Sequence, residues 1–162
     1  MQLNKFSDFG LRLLMYLLQP SETLVTIAQA AKALQVSENH LVKVTHFMAK
    51  QGWIISTRGK GGGIRLAPST YQLPIGEIIR TLEHDEKAVN CLEPACVLRF
   101  SCGLKSVLDD ALEQFYQHLN QYQLQDALHQ PVQSSLDKHD QLARIASVQL
   151  HAPVQTSPND PT

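Results

Sequence analysis

The stretch "WIISTRGKGGGIRLA" (residues 53–67) leaves the backbone few options. Two β-prone runs, Trp53–Thr57 and Ile64–Ala67, flank a loop in which Gly59, Gly61, Gly62 and Gly63 are interrupted only by Lys60. Glycine enters the left-handed φ region that a tight hairpin tip needs, so the pattern predicts an antiparallel hairpin. Arg58 and Lys60 fall at its tip and Arg65 on the return strand. The same glycines do not make a phosphate-cradling P-loop, because the terminal Lys-Ser/Thr is missing. Nor do they open a helix, as a dinucleotide fingerprint would.

The residues ahead of the hairpin give it a context. Phe6 to Leu18 reads as an amphipathic helix, with Phe6, Phe9, Leu13, Leu14 and Leu17 at three- and four-residue steps and Pro20 just past its end. In "VTIAQAAKALQVSENHLVKVTHFMAKQGWI", Thr26 is placed to cap a short helix whose Ile27, Ala30, Ala31 and Leu34 face inward. Gln35 and Val36 turn the chain, Ser37 caps a second helix with Leu41, Val44, Phe47 and Met48 inward, and Gly52 ends it. By itself this is a helix-turn-helix or an αα-hairpin of a small bundle. A basic hairpin directly after it favours a winged helix, in which one helix enters the major groove of DNA and the wing reaches the neighbouring backbone or minor groove. The expected fold is therefore mainly α with a small β-hairpin. At the start of the second helix, Ser37, Glu38, Asn39, His40 and Lys43 are the expected base and phosphate contacts. Asn bonds bidentately to adenine, Glu accepts from cytosine, and Lys meets phosphate or guanine. Arg58 and Lys60 would enter the minor groove, while Lys5 and Lys50 read as backbone contacts or solvated charges. The charge agrees: residues 1–70 carry eight Lys or Arg against three acids, whereas residues 71–162 carry six against twelve.

"YQLPIGEIIRTLEHDE" predicts a further short helix with Ile75, Ile78, Ile79 and Leu82 inward. After a polar loop, "LKSVLDDALEQFYQHLNQYQLQDAL" predicts a longer one. Its Leu104, Leu108, Ala111, Phe115 and Tyr122 follow a near-heptad seam, widened by Val107, Leu112 and Leu119. A solitary helix cannot bury so broad a stripe, so it predicts pairing with the same helix of a second chain, or else packing on its own domain. The expected organisation is a DNA-binding domain over residues 1–84, a cysteine loop over 85–103, a dimerisation helix with a return segment over 104–130, and a disordered tail over 131–162. Within that tail, "DQLARIASVQL" could form a transient helix. No apolar run reaches the length of a membrane span, and the N-terminus lacks the order of a signal peptide, so the cytoplasm is the expected compartment.

All three cysteines, Cys91, Cys96 and Cys102, lie in "NCLEPACVLRFSCG", spaced C-x4-C-x5-C. An odd number of thiols disfavours a disulfide framework. Zinc sites usually show closer knuckles, although His84 is near enough to be a fourth zinc ligand. No base or oxyanion site marks a catalytic thiol, and an enzyme is not expected. Iron–sulfur ligation suits thiolates on such a loop, and unrelated buried cysteines are the plain alternative.

"FSDFGLR", the helix-turn-helix, "RGKGGGIRL", "IGEIIRTLE" and the cysteine loop together resemble an iron–sulfur family of winged-helix transcription regulators, over about residues 1–130. Its cluster-biogenesis (IscR-type) branch has x5 in both gaps and a His where this chain has Lys105. The nitric-oxide-sensing (NsrR-type) branch has the x4 and x5 gaps found here. The resemblance to that branch implies a homodimeric repressor of operator DNA that senses nitric oxide through a 4Fe–4S cluster on Cys91, Cys96 and Cys102. It further implies a fourth ligand, Asp8, contributed by the partner subunit; from the residues alone Asp8 is a first-turn acid favoured by the helix dipole. The alternatives are a 2Fe–2S sensor of iron or redox status and, in another class, a metal-stabilised winged-helix protein-interaction module.

Overall fold

Local capping chemistry starts the first two helices. The first, α1 (Lys5–Leu17), begins at Asn4, whose Oδ1 accepts the Ser7 N–H at 2.9 Å. The second, α2 (Ile27–Leu34), opens with a reciprocal cap: Thr26 Oγ1 accepts the Gln29 N–H (3.2 Å), and Gln29 Oε1 accepts the Thr26 N–H (2.8 Å). It ends on Gln35 in the left-handed region (φ 54°), and Val36 then turns in to bond Ala31 and pack on the core. The third, α3 (Glu38–Lys50), starts where expected, at Ser37, but the serine hydroxyl accepts no backbone N–H. This end of the helix is exposed, so solvent is at hand for the first N–H groups. The computed structural model describes residues 2–19, 23–84 and 87–127. Pro20, the end of the return segment, the tail over 131–162 and its expected transient helix lie outside these residues.

The core lies where α1, α2 and α3 meet the hairpin and α4 (Ile75–Glu83), around Leu13, Leu14, Leu41, Met48, Ile78 and Leu82. Most residues expected to face inward do so; Ile27, Leu34, Phe47 and Ile75 are only partly buried. Strands β1 (Ile54–Thr57) and β2 (Gly63–Leu66) pair antiparallel, Ile54 opposite Leu66 and Thr57 opposite Gly63. Trp53 and Ala67 fall just outside the strands, although the Ala67 N–H still reaches the Trp53 carbonyl (2.9 Å). The tip turns through Gly59 (φ +99°) and Gly61 (φ +78°), as the sequence requires. Val25, ahead of α2, exchanges both backbone hydrogen bonds with Ile64 (3.2 and 2.8 Å), which ties the hairpin to the helix-turn-helix.

Two long-range contacts place α4. Asn4 donates its backbone N–H and its side-chain amide to the two carboxylate oxygens of Glu83, each at 3.0 Å. At the other end α4 crosses α5 (Leu104–Leu119) at Gly76, which is buried against the Tyr116 carbonyl and the Asn120 side chain. The Glu77 N–H donates to Asn120 Oδ1 (2.9 Å), and Arg80 both pairs with Glu113 (2.6 Å) and lies over the Tyr116 ring (4.3 Å). The Arg80 guanidinium holds the Glu113 carboxyl below its usual range. The expected long helix is shorter than its apolar pattern suggested. It stops at Asn120, and the chain returns through a 3-10 turn at Leu124–Ala127, bonded to Leu73 and Ile75. Tyr122 therefore belongs to this return, not to the helical seam.

Candidate nucleic-acid interface and cysteine loop

Helical spacing divides α3 into two faces. Leu41, Val44, Thr45 and Met48 are buried, which leaves Ser37, Glu38, Asn39, His40 and Lys43 all exposed. Val42, His46 and Lys50 share the exposed set. Val42 and His46 were missed as candidates, although the same periodicity points to them. His40 is steadied by the Phe9 ring, with centroids 5.9 Å apart. At the hairpin, Arg58 and Lys60 are exposed at the tip and Arg65 on β2. Among the described residues the ion pairs are Arg12–Asp8, Arg80–Glu113 and Lys105–Asp109, so the three hairpin cations have no acidic partner there. Their charge is available to a polyanion.

The cysteine loop joins α4 to α5 through turns, with no helix or strand over residues 87–103. Asn90 Oδ1 accepts the N–H groups of Leu92 (2.9 Å) and Glu93 (3.3 Å). The Cys91 carbonyl accepts the Cys96 N–H (3.1 Å), so these two residues share a turn, and the Cys96 carbonyl in turn accepts the Arg99 N–H (3.3 Å). The root is anchored on α5: one oxygen of Asp109 accepts the Ala88 N–H (3.1 Å) and the other binds the Lys105 ammonium. The hydrogen bond holds Lys105 above its ordinary pKa and Asp109 below its own. A cleft of about 830 Å³ opens beside Cys91, lined also by Lys87, Asn90, Arg99, Phe100 and Lys105.

Cys91, Cys96 and Cys102 are free thiols; the first two are partly buried and the third is exposed. Their donor chemistry suits an iron–sulfur cluster: three soft ligands on a loop free of regular structure, beside apolar side chains with no cover. Val97 is 92% exposed and Phe100 86%. The single chain does not gather the ligands, since no group of three His, Cys, Asp or Glu able to hold a metal forms among the described residues. Asp8 lies in the first turn of α1, paired with Arg12 at 2.9 Å. His84 sits in the left-handed cap of α4 with its ring edge-on to Phe47 (centroids 5.0 Å), and it joins no such ligand group. Tyr116 is the buried residue of α5, while Leu104 and Val107 are each 62% exposed and Phe115 is also exposed. Leu108, Leu112 and Leu119 are partly buried. The apolar seam is thus largely bare.

Residues 3–130 match a family described as "Rrf2: Iron-dependent Transcriptional regulator". The chain is 42% identical over 130 residues to the HTH-type transcriptional regulator NsrR of Shouchella clausii, covering 78% of this chain and 87% of that one. It is 40% identical over 132 residues to the NsrR of Halalkalibacterium halodurans, covering 79% and 90%. Among solved structures it resembles oxidized CymR of Staphylococcus aureus (TM-score 0.62, 21% identity, 80% of this chain and 98% of that one). It also resembles T. potens IscR (TM-score 0.58, 23% identity, 78% and 85%). At these identities the structural likeness speaks for the fold alone. No helix among the described residues is long and apolar enough to cross a membrane.

Proposed function

The chain belongs to the Rrf2 family of transcriptional regulators, as an NsrR-type member and not an enzyme, and we propose that it is a homodimeric repressor releasing operator DNA in response to nitric oxide. The observation that carries this reading is the pairing of two features in one chain. An exposed α3 face stands beside an unpaired basic wing, and three free thiols hang on a loop between the reading domain and a bare helix. Residues 1–84 read DNA, 85–103 bind the cluster and 104–130 dimerise, in a cytoplasmic protein.

On α3, Asn39, Glu38, His40 and Ser37 meet base edges and Lys43 meets phosphate or guanine, while Arg58 and Lys60 reach into the minor groove. Cys91, Cys96 and Cys102 would hold three irons of a 4Fe–4S cluster, with Asp8 of the partner subunit at the fourth. When bound, a cluster so held would supply an iron with one hard oxygen ligand, more weakly held than the three on thiolates and so open to nitric oxide. The chain's own part is to keep the three thiols on a loop anchored at α5, so that a fourth ligand, Asp8 of the partner subunit, would tie one subunit's reading domain to the other's dimerisation helix. Loss of those links frees the heads from the spacing that paired half-sites require.

The test is an absorption spectrum of anaerobically purified protein with iron and sulfide analysis, before and after nitric oxide. About four irons per chain, with a broad visible band replaced by an iron–nitrosyl spectrum, is the expected result. Two irons with structured bands would instead indicate a 2Fe–2S redox or iron sensor, and a colourless zinc protein would overturn the reading. For the wing, Arg58→Ala should weaken binding to all sequences alike and lower the salt slope of log K by about 1. An unchanged slope in a salt titration would remove Arg58 from the interface.

A further inference from the structure

The cleft beside Cys91 carries three cations, Lys87, Arg99 and Lys105. Two of them belong to the loop, but Lys105 belongs to α5 and is fixed. Asp109, one helical turn on, binds its ammonium through one oxygen, and through the other takes the Ala88 N–H at 3.1 Å. One carboxylate therefore pins both a cation and the backbone three residues ahead of Cys91. Lys105 and Cys91 line the same cleft.

We infer that Lys105 and Asp109 are positioning residues for the metal group held by Cys91: Lys105 places a positive charge in the wall of the cleft that Cys91 also lines, and Asp109 holds both that charge and the root of the loop. This inference rests on the iron–sulfur reading above. Each thiolate brings negative charge to the site, and reduction of a cluster adds another. A cation held at one wall of the cleft stabilises the more electron-rich form and slows release of the ligands. Loss of Lys105 removes this cation and leaves the Asp109 carboxylate with the Ala88 N–H as its bond to the loop.

The experiment uses the full chain, loaded anaerobically, as wild type and as Lys105→Gln, Lys105→Arg and Asp109→Asn. Its readouts are the midpoint potential, the rate of iron loss to a chelator, and hydrogen exchange at the Ala88 amide in the metal-free protein. Lys105→Gln should move the potential to more negative values and speed iron loss roughly 10-fold or more, with both largely restored in Lys105→Arg. Asp109→Asn should speed iron loss and also expose the Ala88 amide to exchange, a change that needs no metal. Wild-type potential and iron loss in Lys105→Gln would overturn the inference alone. A wild-type protein that takes up no iron would overturn the iron–sulfur reading and this inference with it.

Discussion

Alanine at Cys91, Cys96 or Cys102, one at a time, is expected to strip iron from the protein and abolish tight operator binding. The three thiols are free, two are partly buried and one is exposed, and none lies in the buried core. Truncating any of them removes little apolar contact, so the metal-free variants should melt within a degree or two of the metal-free wild type. The loss would fall on the metal site, because a cluster with three protein thiolates has none to spare. With the two reading heads no longer held, affinity should drop to the nonspecific level, roughly 10³-fold or more below specific binding. The check is iron analysis beside an operator titration at fixed salt, with each variant compared with cluster-loaded wild type for affinity and with metal-free wild type for melting. Wild-type affinity in any one variant would show that its thiol takes no part in DNA release.

The second large effect lies far from the thiols. Gly76→Val places a branched side chain where α4 and α5 cross. A Cβ there would stand 2.9 Å from Asn120 Cγ and far inside contact distance of the Tyr116 carbonyl oxygen. One obstacle is backbone, so no rotamer change relieves it and the helices must part. Overpacking of this kind costs about 1–3 kcal/mol, and a backbone clash argues for the upper end. Parting the helices also strains the Glu77–Asn120 and Arg80–Glu113 contacts that fasten α5. The variant should unfold about 3 kcal/mol more easily in urea, whereas Glu77→Ala, on the exposed side of the same turn, should change stability by less than about 1 kcal/mol. Equal midpoints for Gly76→Val and wild type would mean that α5 does not depend on this crossing.

Much of the reading domain was legible because its signals are local. The Thr26–Gln29 cap, the turn through Gln35 and Val36, the buried stripe of α3 and the glycine tip each depend on residues a few positions apart. The start of α3 was also legible, but not the idle Ser37 hydroxyl, since a favoured cap residue need not make its bond when solvent can serve instead. The end of α5 was overread: Tyr122 continues the apolar period, yet its carbonyl is taken by the Ile75 N–H, a partner that no local pattern reveals. Gly76 looks like any helical glycine until α5 lies across it. At the cysteine loop, spacing and family resemblance singled out the thiols. The Lys105–Asp109 pair was visible only as an i,i+4 spacing, and its hold on Ala88 required the fold.

The clasp between Asn4 and Glu83 bears on the order in which the chain assembles. Its partners are 79 residues apart, whereas α2, α3 and the hairpin meet over short stretches of chain. Closing a long loop carries an entropic cost that is recovered only when both ends are packed, so local contacts tend to form first. Synthesis runs in the same direction, since α2, α3 and the hairpin all precede Cys91 in the chain. The helix-turn-helix and its hairpin can thus settle ahead of the longer-range contacts of α4 and α5, and the cysteine loop is fastened to a platform already in place.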